Sequence, residues 1–185
     1  QKLSGALLAP VIESEQGNLY RNVTALPRAF LVDSLAVITD KNVIFETMKA
    51  PTFNPAAYAI VEEPIETSLG PVDSSEVAIT NYTPHRIDIM VDTPAPALLV
   101  LSEVYYPAGW SAIIDGAPTE IYKTNYALRS VVVPAGRHDI SFVFEPSSFN
   151  IGYTLSLVSS ILVLLVLTGA GAWRVRERLR EQKQT

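Results

Sequence analysis

Two hydrophobic patterns divide the chain. Between about residue 76 and residue 144, apolar positions such as Ile87, Ile89 and Val91 alternate with mostly polar neighbours, which is typical of strands with one buried face. Residues 97–101 are apolar without alternation and predict a strand covered on both faces. Residues 147–173 contain no Asp, Glu, Lys, Arg or His, and a helix over residues 151–173 would be about 35 Å long, enough to cross a bilayer. The chain therefore combines a β-rich domain with one predicted membrane-spanning helix.

Turn residues predict how the strands connect. Asp115-Gly116 follows an alternating strand and predicts a tight type I′ hairpin, with Ile121-Tyr122 in the returning strand. Pro134-Ala135-Gly136 predicts a second hairpin, between residues 131–133 and residues 140–144. Six or seven short strands with such turn signals predict a mainly β fold, an antiparallel β-sandwich or a jelly-roll-like sheet.

The residues before the alternating region have a mixed pattern. Residues 29–32 and 35–38 predict short strands, and Asp40 is placed to cap a helix that runs to about Lys49 and stops before Pro51. Four segments are expected: a mixed α/β N-terminal part of the extracytoplasmic domain (1–73), an antiparallel β-sandwich (74–147), a transmembrane helix (149–173) and a basic cytoplasmic tail (174–185).

Charge indicates an orientation for the helix. The net charge is −5, yet residues 174–185 contain five basic and two acidic side chains, so the rest of the chain is strongly acidic. Because basic residues concentrate on the cytoplasmic side of membrane helices, we expect the tail inside the cell and the β-rich domain outside the cytoplasm. The acidic domain argues against nucleic acid as a partner.

Small residues recur along one side of the predicted helix. Gly152, Ser156 and Ser160 lie four residues apart, a spacing that suits close packing against another helix. Small residues are also simply common in membrane helices, so both readings stay open.

Residues with metal-binding or catalytic chemistry are scarce. The chain has no cysteine, and His85 and His138 have no ligand partner at metal-binding spacing. No nucleophile motif or phosphate-binding glycine loop occurs. We therefore assign no metal, no cofactor and no catalytic residue.

One patch combines aromatic rings with amide and guanidinium groups. Its residues are Tyr105, Tyr106, Trp110, Asn125, Tyr126 and Arg129. Rings that stack on a sugar, beside donors for its hydroxyl groups, would form a ligand-binding site. The alternative is that these rings fill the core and that Arg129 pairs with a carboxylate.

Several motifs in this order resemble one family. They are residues 26–32 (LPRAFLV), 105–110 (YYPAGW), Asp115-Gly116, 125–138 (NYALRSVVVPAGRH) and 144–149 (FEPSSF), the last leading directly into the helix. Together they are similar to the carboxyl-terminal end of bacterial YfhO-like membrane proteins. Ala108 departs from the usual uninterrupted Tyr-Pro-Gly-Trp and lengthens that turn by one residue.

The resemblance implies a many-helix glycosyltransferase of the GT-C type in the bacterial plasma membrane. Such proteins transfer a sugar from a polyprenyl-phosphate carrier to a cell-envelope acceptor, and their catalytic carboxylate lies in an early loop to which no residue here corresponds. The expected partners are the lipid bilayer, upstream transmembrane helices of the same full-length protein, and an envelope glycan or lipid-linked sugar. Because Gln1 is preceded by no initiator Met or export signal in this sequence, we expect a fragment or a processed form.

A second hypothesis remains open. The chain would then be a single-pass, membrane-anchored module that binds carbohydrate or protein through the aromatic patch, without catalysis. A free-standing soluble enzyme has no supporting group of residues.

Overall fold

The computed structural model describes residues 8–181. Residues 1–7, which begin the predicted N-terminal part, and residues 182–185, which end the predicted basic tail, lie outside the described residues. The chain forms two compact units, Gln1–Phe144 and Glu145–Thr185.

All but one of the described secondary-structure elements of the first unit are strands. Its described elements are β1 (Leu8–Ser14), β2 (Gly17–Asn22), β3 (Ala29–Val32), β4 (Ser34–Val37), α1 (Lys41–Lys49), β5 (Tyr58–Val61), β6 (Glu76–Thr83), β7 (Arg86–Thr93), β8 (Ala97–Val104), β9 (Trp110–Ile114), β10 (Ala117–Thr119), β11 (Tyr122–Thr124), β12 (Leu128–Val133) and β13 (Gly136–Phe144).

The strands form a hairpin and two larger sheets. β1 pairs with β2; a five-stranded sheet has the order β10-β9-β13-β7-β6, and a six-stranded sheet has the order β3-β8-β12-β11-β5-β4. Strand pairs are antiparallel except β4 with β5, which is parallel. The predicted fold class, mainly β with antiparallel sheets, is confirmed.

The main core combines side chains of the two larger sheets. Ile87, Ile89 and Phe142 of the five-stranded sheet form one buried cluster with Leu99 and Val131 of the six-stranded sheet. A second cluster contains Leu98 and Val100, the alternate residues of β8. Because β8 supplies both clusters, residues 97–101 are buried on both faces, as the uninterrupted apolar run predicted.

The Asp115-Gly116 turn is confirmed, but its returning strand was predicted wrongly. Asp115 and Gly116 have φ angles of 50° and 85°, as a type I′ turn requires. A two-residue turn reverses the chain at once, so Ala117 already pairs with Ile114 in the β9–β10 hairpin. Tyr122 belongs instead to β11, in the other sheet.

The hairpin predicted at Pro134-Ala135-Gly136 is wrong. β12 pairs with β8 and β11, whereas β13 pairs with β7 and β9, so this turn carries the chain from one sheet to the other. Both strands have inward apolar faces, and these faces pack against each other across the core instead of lying side by side. Turn residues alone do not distinguish these two connections.

The N-terminal segment contains the predicted helix and strands. Asp40 caps α1, because its Oδ1 accepts hydrogen bonds from the backbone N–H groups of Asn42 (2.7 Å) and Val43 (3.3 Å). β3, β4 and β5 belong to the same sheet as β8, β11 and β12, so strands from both sides of the predicted division at residue 73 build one sheet.

The second unit is a single helix, α2 (Ser147–Glu181). Within the described residues it contains one stretch long and apolar enough to cross a membrane, Ile151–Arg174, and none of that stretch is buried. Hydroxyl groups inside it bond to the helix's own backbone: Ser159 to Leu155 O, Ser160 to Ser156 O and Thr168 to Leu164 O, each at 2.8 Å. The helix continues past Trp173, where the basic tail was expected to begin.

Candidate binding site

Arg129 lies where the inward faces of the two larger sheets change from apolar to polar. It precedes Val131 and Val133 on the same face of β12, and both valines are in the main core. On β9, Trp110 stands at the corresponding end of the row that contains Ala112 and Ile114. The strands thus align an arginine and a tryptophan at one end of the core.

A register shift in the neighbouring strand adds a carboxylate. Arg129 is opposite Leu101 on β8, but Leu128 is opposite Val104, so Ser102 and Glu103 form a bulge. Bulges redirect side chains and are frequent beside functional sites.

The guanidinium of Arg129 is buried without a close hydrogen-bond acceptor among the described residues. The side chain is 2% exposed, and its Cζ lies 3.9 Å from the centre of the Trp110 ring and 5.6 Å from that of Phe142. Its Nη2 lies 3.9 Å from Glu103 Oε2, while Nε and Nη1 have no hydrogen-bond partner within residues 8–181. Burial lowers the pKa of Arg129, but an arginine stays protonated at neutral pH.

Glu103 is already held by two other side chains. Its Oε1 accepts hydrogen bonds from Arg28 Nη1 at 2.5 Å and from the Tyr82 hydroxyl at 2.7 Å. The hydrogen bond to Glu103 raises the pKa of the Tyr82 hydroxyl, because losing its proton would place a second negative charge beside the carboxylate. Two guanidinium groups therefore share one carboxylate, which leaves a local excess of positive charge.

Two cavities border Arg129. The first has a volume of about 300 Å³, and its walls include Tyr105, Tyr106, Trp110, Thr119 and Arg129. The second, of about 360 Å³, shares Tyr106, Trp110 and Arg129 and adds Glu103 and Phe144. Volumes of about 300 Å³ lie at the small end of the range for small-molecule sites.

Four of the six predicted site residues line the first cavity: Tyr105, Tyr106, Trp110 and Arg129. Trp110 presents one ring face to Arg129, so this face is already covered. Tyr106 is 53% exposed. A sugar ring that enters the cavity would therefore contact the tyrosine rings and the uncovered parts of Trp110.

Asn125 and Tyr126 are not among the residues that line these cavities. Asn125 is buried, with Oδ1 accepting a hydrogen bond from Ile60 N at 2.9 Å and its own N–H donating to Ile60 O at 2.8 Å. Tyr126 is 45% exposed and lies near Phe45 and Lys123. Both have positive φ angles, so the turn between β11 and β12 directs them differently from Arg129.

The sequence analysis missed Glu103, Arg28 and Tyr82. A signal for Glu103 was present: it lies two residues after Leu101, so strand alternation places a carboxylate in line with the inward side chains of β8. Arg28 immediately precedes β3 and Tyr82 lies near the end of β6, so only the fold brings these two distant residues together. Among the described residues no group of His, Asp and Glu side chains could hold a metal ion.

The antiparallel sheets and the exposed apolar helix define a class of protein, a membrane-associated chain with a β-rich domain. The family model described as "Bacterial membrane protein YfhO" matches residues 46–156, more than half of the chain. The chain belongs to this family. Comparisons with curated proteins and with solved structures gave no match. The matched region contains Glu103, Trp110 and Arg129, whereas Arg28 precedes it.

Proposed function

We propose that this chain is the extracytoplasmic accessory domain and last transmembrane helix of a polytopic glycosyltransferase of the GT-C type. The enzyme would use a polyprenyl-phosphate-linked sugar donor to modify the cell envelope. The observation that carries the proposal is the cavity at Arg129, which combines aromatic walls with unpartnered guanidinium donors. In this proposal the domain binds the acceptor or covers the active site, and no residue of this chain is catalytic.

The chemistry of the cavity supports a sugar ligand. Sugar rings have apolar faces that aromatic rings contact and hydroxyl groups that need fixed hydrogen-bond partners. Aromatic contact comes from Tyr105, Tyr106 and Trp110. Hydrogen-bonding groups come from Ser111, Thr119 and Arg129. Membership of the YfhO family supports a membrane-associated role for the whole protein.

The composition of α2 supports a membrane-spanning role and an orientation. A helix that is apolar on every side and exposed along its length is unfavourable in water, but it suits a bilayer because its backbone bonds are internal. The basic residues that follow Trp173 favour a cytoplasmic tail, and this supports our proposal that the β-rich unit lies outside the cytoplasm of a bacterial plasma membrane.

Envelope analysis of a deletion strain tests the proposal. We expect deletion of the gene to remove one sugar from an envelope polymer and to increase the pool of polyprenyl-linked sugar, both measured by mass spectrometry. The full-length wild-type gene should restore the sugar, and Trp110→Ala should restore it poorly, whereas the control Trp173→Phe, at the end of the helix, should restore it fully. Unchanged envelope sugars and an unchanged lipid-linked pool in the deletion strain would refute the glycosyltransferase role.

The second candidate is a membrane-anchored binding module without catalysis. It is favoured by the fact that residues of a single β-rich unit form the cavity and that one helix of the described chain could span a membrane. This module would bind an envelope glycan, and deleting its gene would leave the sugar composition of the envelope unchanged.

A further inference from the structure

We propose that the cavity at Arg129 recognises an anionic sugar, one that carries a carboxylate or a phosphate group. This inference deepens the proposed function, because it names the chemical class of the ligand that the domain binds. The shared feature of the two anions is an oxyanion with several acceptor atoms, which a guanidinium can bind through charge-assisted hydrogen bonds.

Arg129 carries a buried charge that no close acceptor among the described residues satisfies. A buried charge is costly unless it is paired and hydrogen-bonded. Arg129 is 2% exposed, two of its three nitrogens have no partner among the described residues, and the third is too far from Glu103 for a hydrogen bond, at 3.9 Å. Trp110 covers one side of the guanidinium, with its ring centre 3.9 Å from Cζ, but Nε and Nη1 still lack an acceptor among the described residues.

Positive side chains outnumber negative ones around Glu103. Arg28 and the Tyr82 hydroxyl both donate to one oxygen of Glu103, so this carboxylate does not serve Arg129 alone. Arg28, Arg129 and Glu103 together therefore carry two positive charges and one negative charge. An incoming anion neutralises that excess, whereas a neutral sugar leaves it in place.

The position of Arg129 suits a ligand that combines a sugar ring with an anionic group. Arg129 borders both cavities, so an anionic substituent can approach it while the sugar ring contacts Tyr105 and Tyr106. A residue selected only for packing at this inward position would be apolar, as Val131 and Val133 are on the same face of β12.

Arg129→Met separates a ligand-binding role from a structural one. Methionine fills a similar length without the buried charge, and Glu103 keeps Arg28 and Tyr82 as partners. We therefore expect an unchanged or higher melting temperature together with a loss of anion affinity of at least about tenfold. A purely structural arginine predicts the reverse, a lower melting temperature.

Calorimetric titration of the full chain, in nanodiscs of phosphatidylcholine, provides the test. The probes are glucuronate, glucose 1-phosphate, inorganic phosphate and, as the neutral match, glucose. We expect both anionic sugars to bind at least about tenfold more tightly than glucose and less tightly as salt is added. Inorganic phosphate, which cannot contact the tyrosines, should bind more weakly than glucose 1-phosphate.

Two further variants test whether anion binding depends on charges near the cavity. Arg21→Met removes an exposed arginine of β2, outside the cavity, and should leave binding unchanged. Glu103→Gln removes the negative charge near Arg129 and should raise anion affinity several-fold.

Specific outcomes would overturn the inference. They are equal binding of glucose and glucuronate, undiminished binding by Arg129→Met, or no binding of any anionic probe. Equal binding of neutral sugar would leave the proposed glycosyltransferase role standing. Conversely, an unchanged envelope in the deletion strain, with anion binding intact, would remove that role and leave this site.

Discussion

His138 of β13 and Asp115 of the turn between β9 and β10 form an ion pair. His138 Nδ1 lies 2.5 Å from Asp115 Oδ2, and Nε2 lies 3.3 Å from Ala135 O, so both ring nitrogens face acceptors, as in a protonated imidazole. The hydrogen bond with Asp115 raises the pKa of His138 above its ordinary 6.5, and the hydrogen bond with His138 lowers the pKa of Asp115 below its ordinary 3.8.

These shifts predict how stability depends on pH. The contribution of His138 is complete below pH 6.5 and is lost as pH rises through its higher pKa in the folded state. The contribution of Asp115 is complete above pH 3.8 and is lost as pH falls through its lower folded pKa. We therefore expect this pair to stabilise the protein fully between pH 3.8 and pH 6.5.

Asp115→Asn tests this pair with little change to the turn. Asparagine tolerates the positive φ angle of position 115 and can still accept the hydrogen bond from Asp139 N, so mainly the charge is lost. Melting of the detergent-solubilised full chain, followed from about pH 5 to about pH 9, should show a smaller decrease in the variant than in the wild type. His85→Gln is the control and should keep the wild-type dependence; an identical decrease in Asp115→Asn would contradict the assignment.

Substitution of Asn125 should change the stability of the protein and not its ligand binding. Asn125→Ala leaves the buried Ile60 N–H without its acceptor and forces alanine to a φ angle of 47°, so it should lower the free energy of unfolding by about 2–4 kcal/mol. Asn125→Gly relieves the backbone strain alone and should cost about 1 kcal/mol less than alanine. Denaturant unfolding measures both; equal losses would show that the φ angle contributes nothing.

Four of the six residues predicted for the binding site line one cavity, and the other two do not. Tyr105, Tyr106 and Trp110 were grouped with Arg129 on chemical grounds, and the fold brings these four to one cavity from β12, from the start of β9 and from the connection between β8 and β9. Asn125 and Tyr126 were predicted at the same site because they add an amide group and an aromatic ring. Both have positive φ angles in the turn before β12 and do not line this cavity, and side-chain chemistry does not reveal such a turn.

At the scale of elements, the alternation of apolar residues and the capping residue correctly predicted where strands and a helix lie. The turn residues did not correctly predict which strands pair. Alternation located β7 and β13, and Asp40 located the start of α1, because these signals depend on neighbours within a few residues. The pairing of β13 with β7 and β9 instead of β12 depends on contacts across the core. Local turn residues contain no information on such contacts.

A charged substitution in α2 tests whether this helix spans a membrane. Leu164 lies near the middle of Ile151–Arg174, so Leu164→Arg places a charge at the centre of the proposed span and should disfavour membrane insertion by about 3–4 kcal/mol. Carbonate extraction of bacterial membranes should then release a much larger fraction of the variant. Leu164→Ala, which shortens the side chain without adding charge, should stay in the membrane; full retention of the arginine variant would contradict a spanning helix.

For the whole molecule, an acidic β-rich unit precedes the apolar stretch of α2 in the sequence, and basic residues follow it after Trp173. The net charge of −5 hides this difference, since the five basic residues of the tail offset part of the acidic domain. The positive-inside tendency and the proposed envelope function require the same orientation, with the cavity at Arg129 on the outer side. Orientation is therefore the property on which the proposed function depends most directly.

The absence of cysteine from the sequence allows this orientation to be measured with single substitutions. Ser74→Cys places a thiol at an exposed position of the β-rich unit, and Thr185→Cys places one at the end of the tail. A membrane-impermeant maleimide should label the first in intact spheroplasts and the second only after lysis. The wild-type chain, without any thiol, gives the background in both conditions. Labelling of Thr185→Cys in intact spheroplasts, with Ser74→Cys protected, would place the cavity in the cytoplasm, where an extracytoplasmic acceptor cannot reach it.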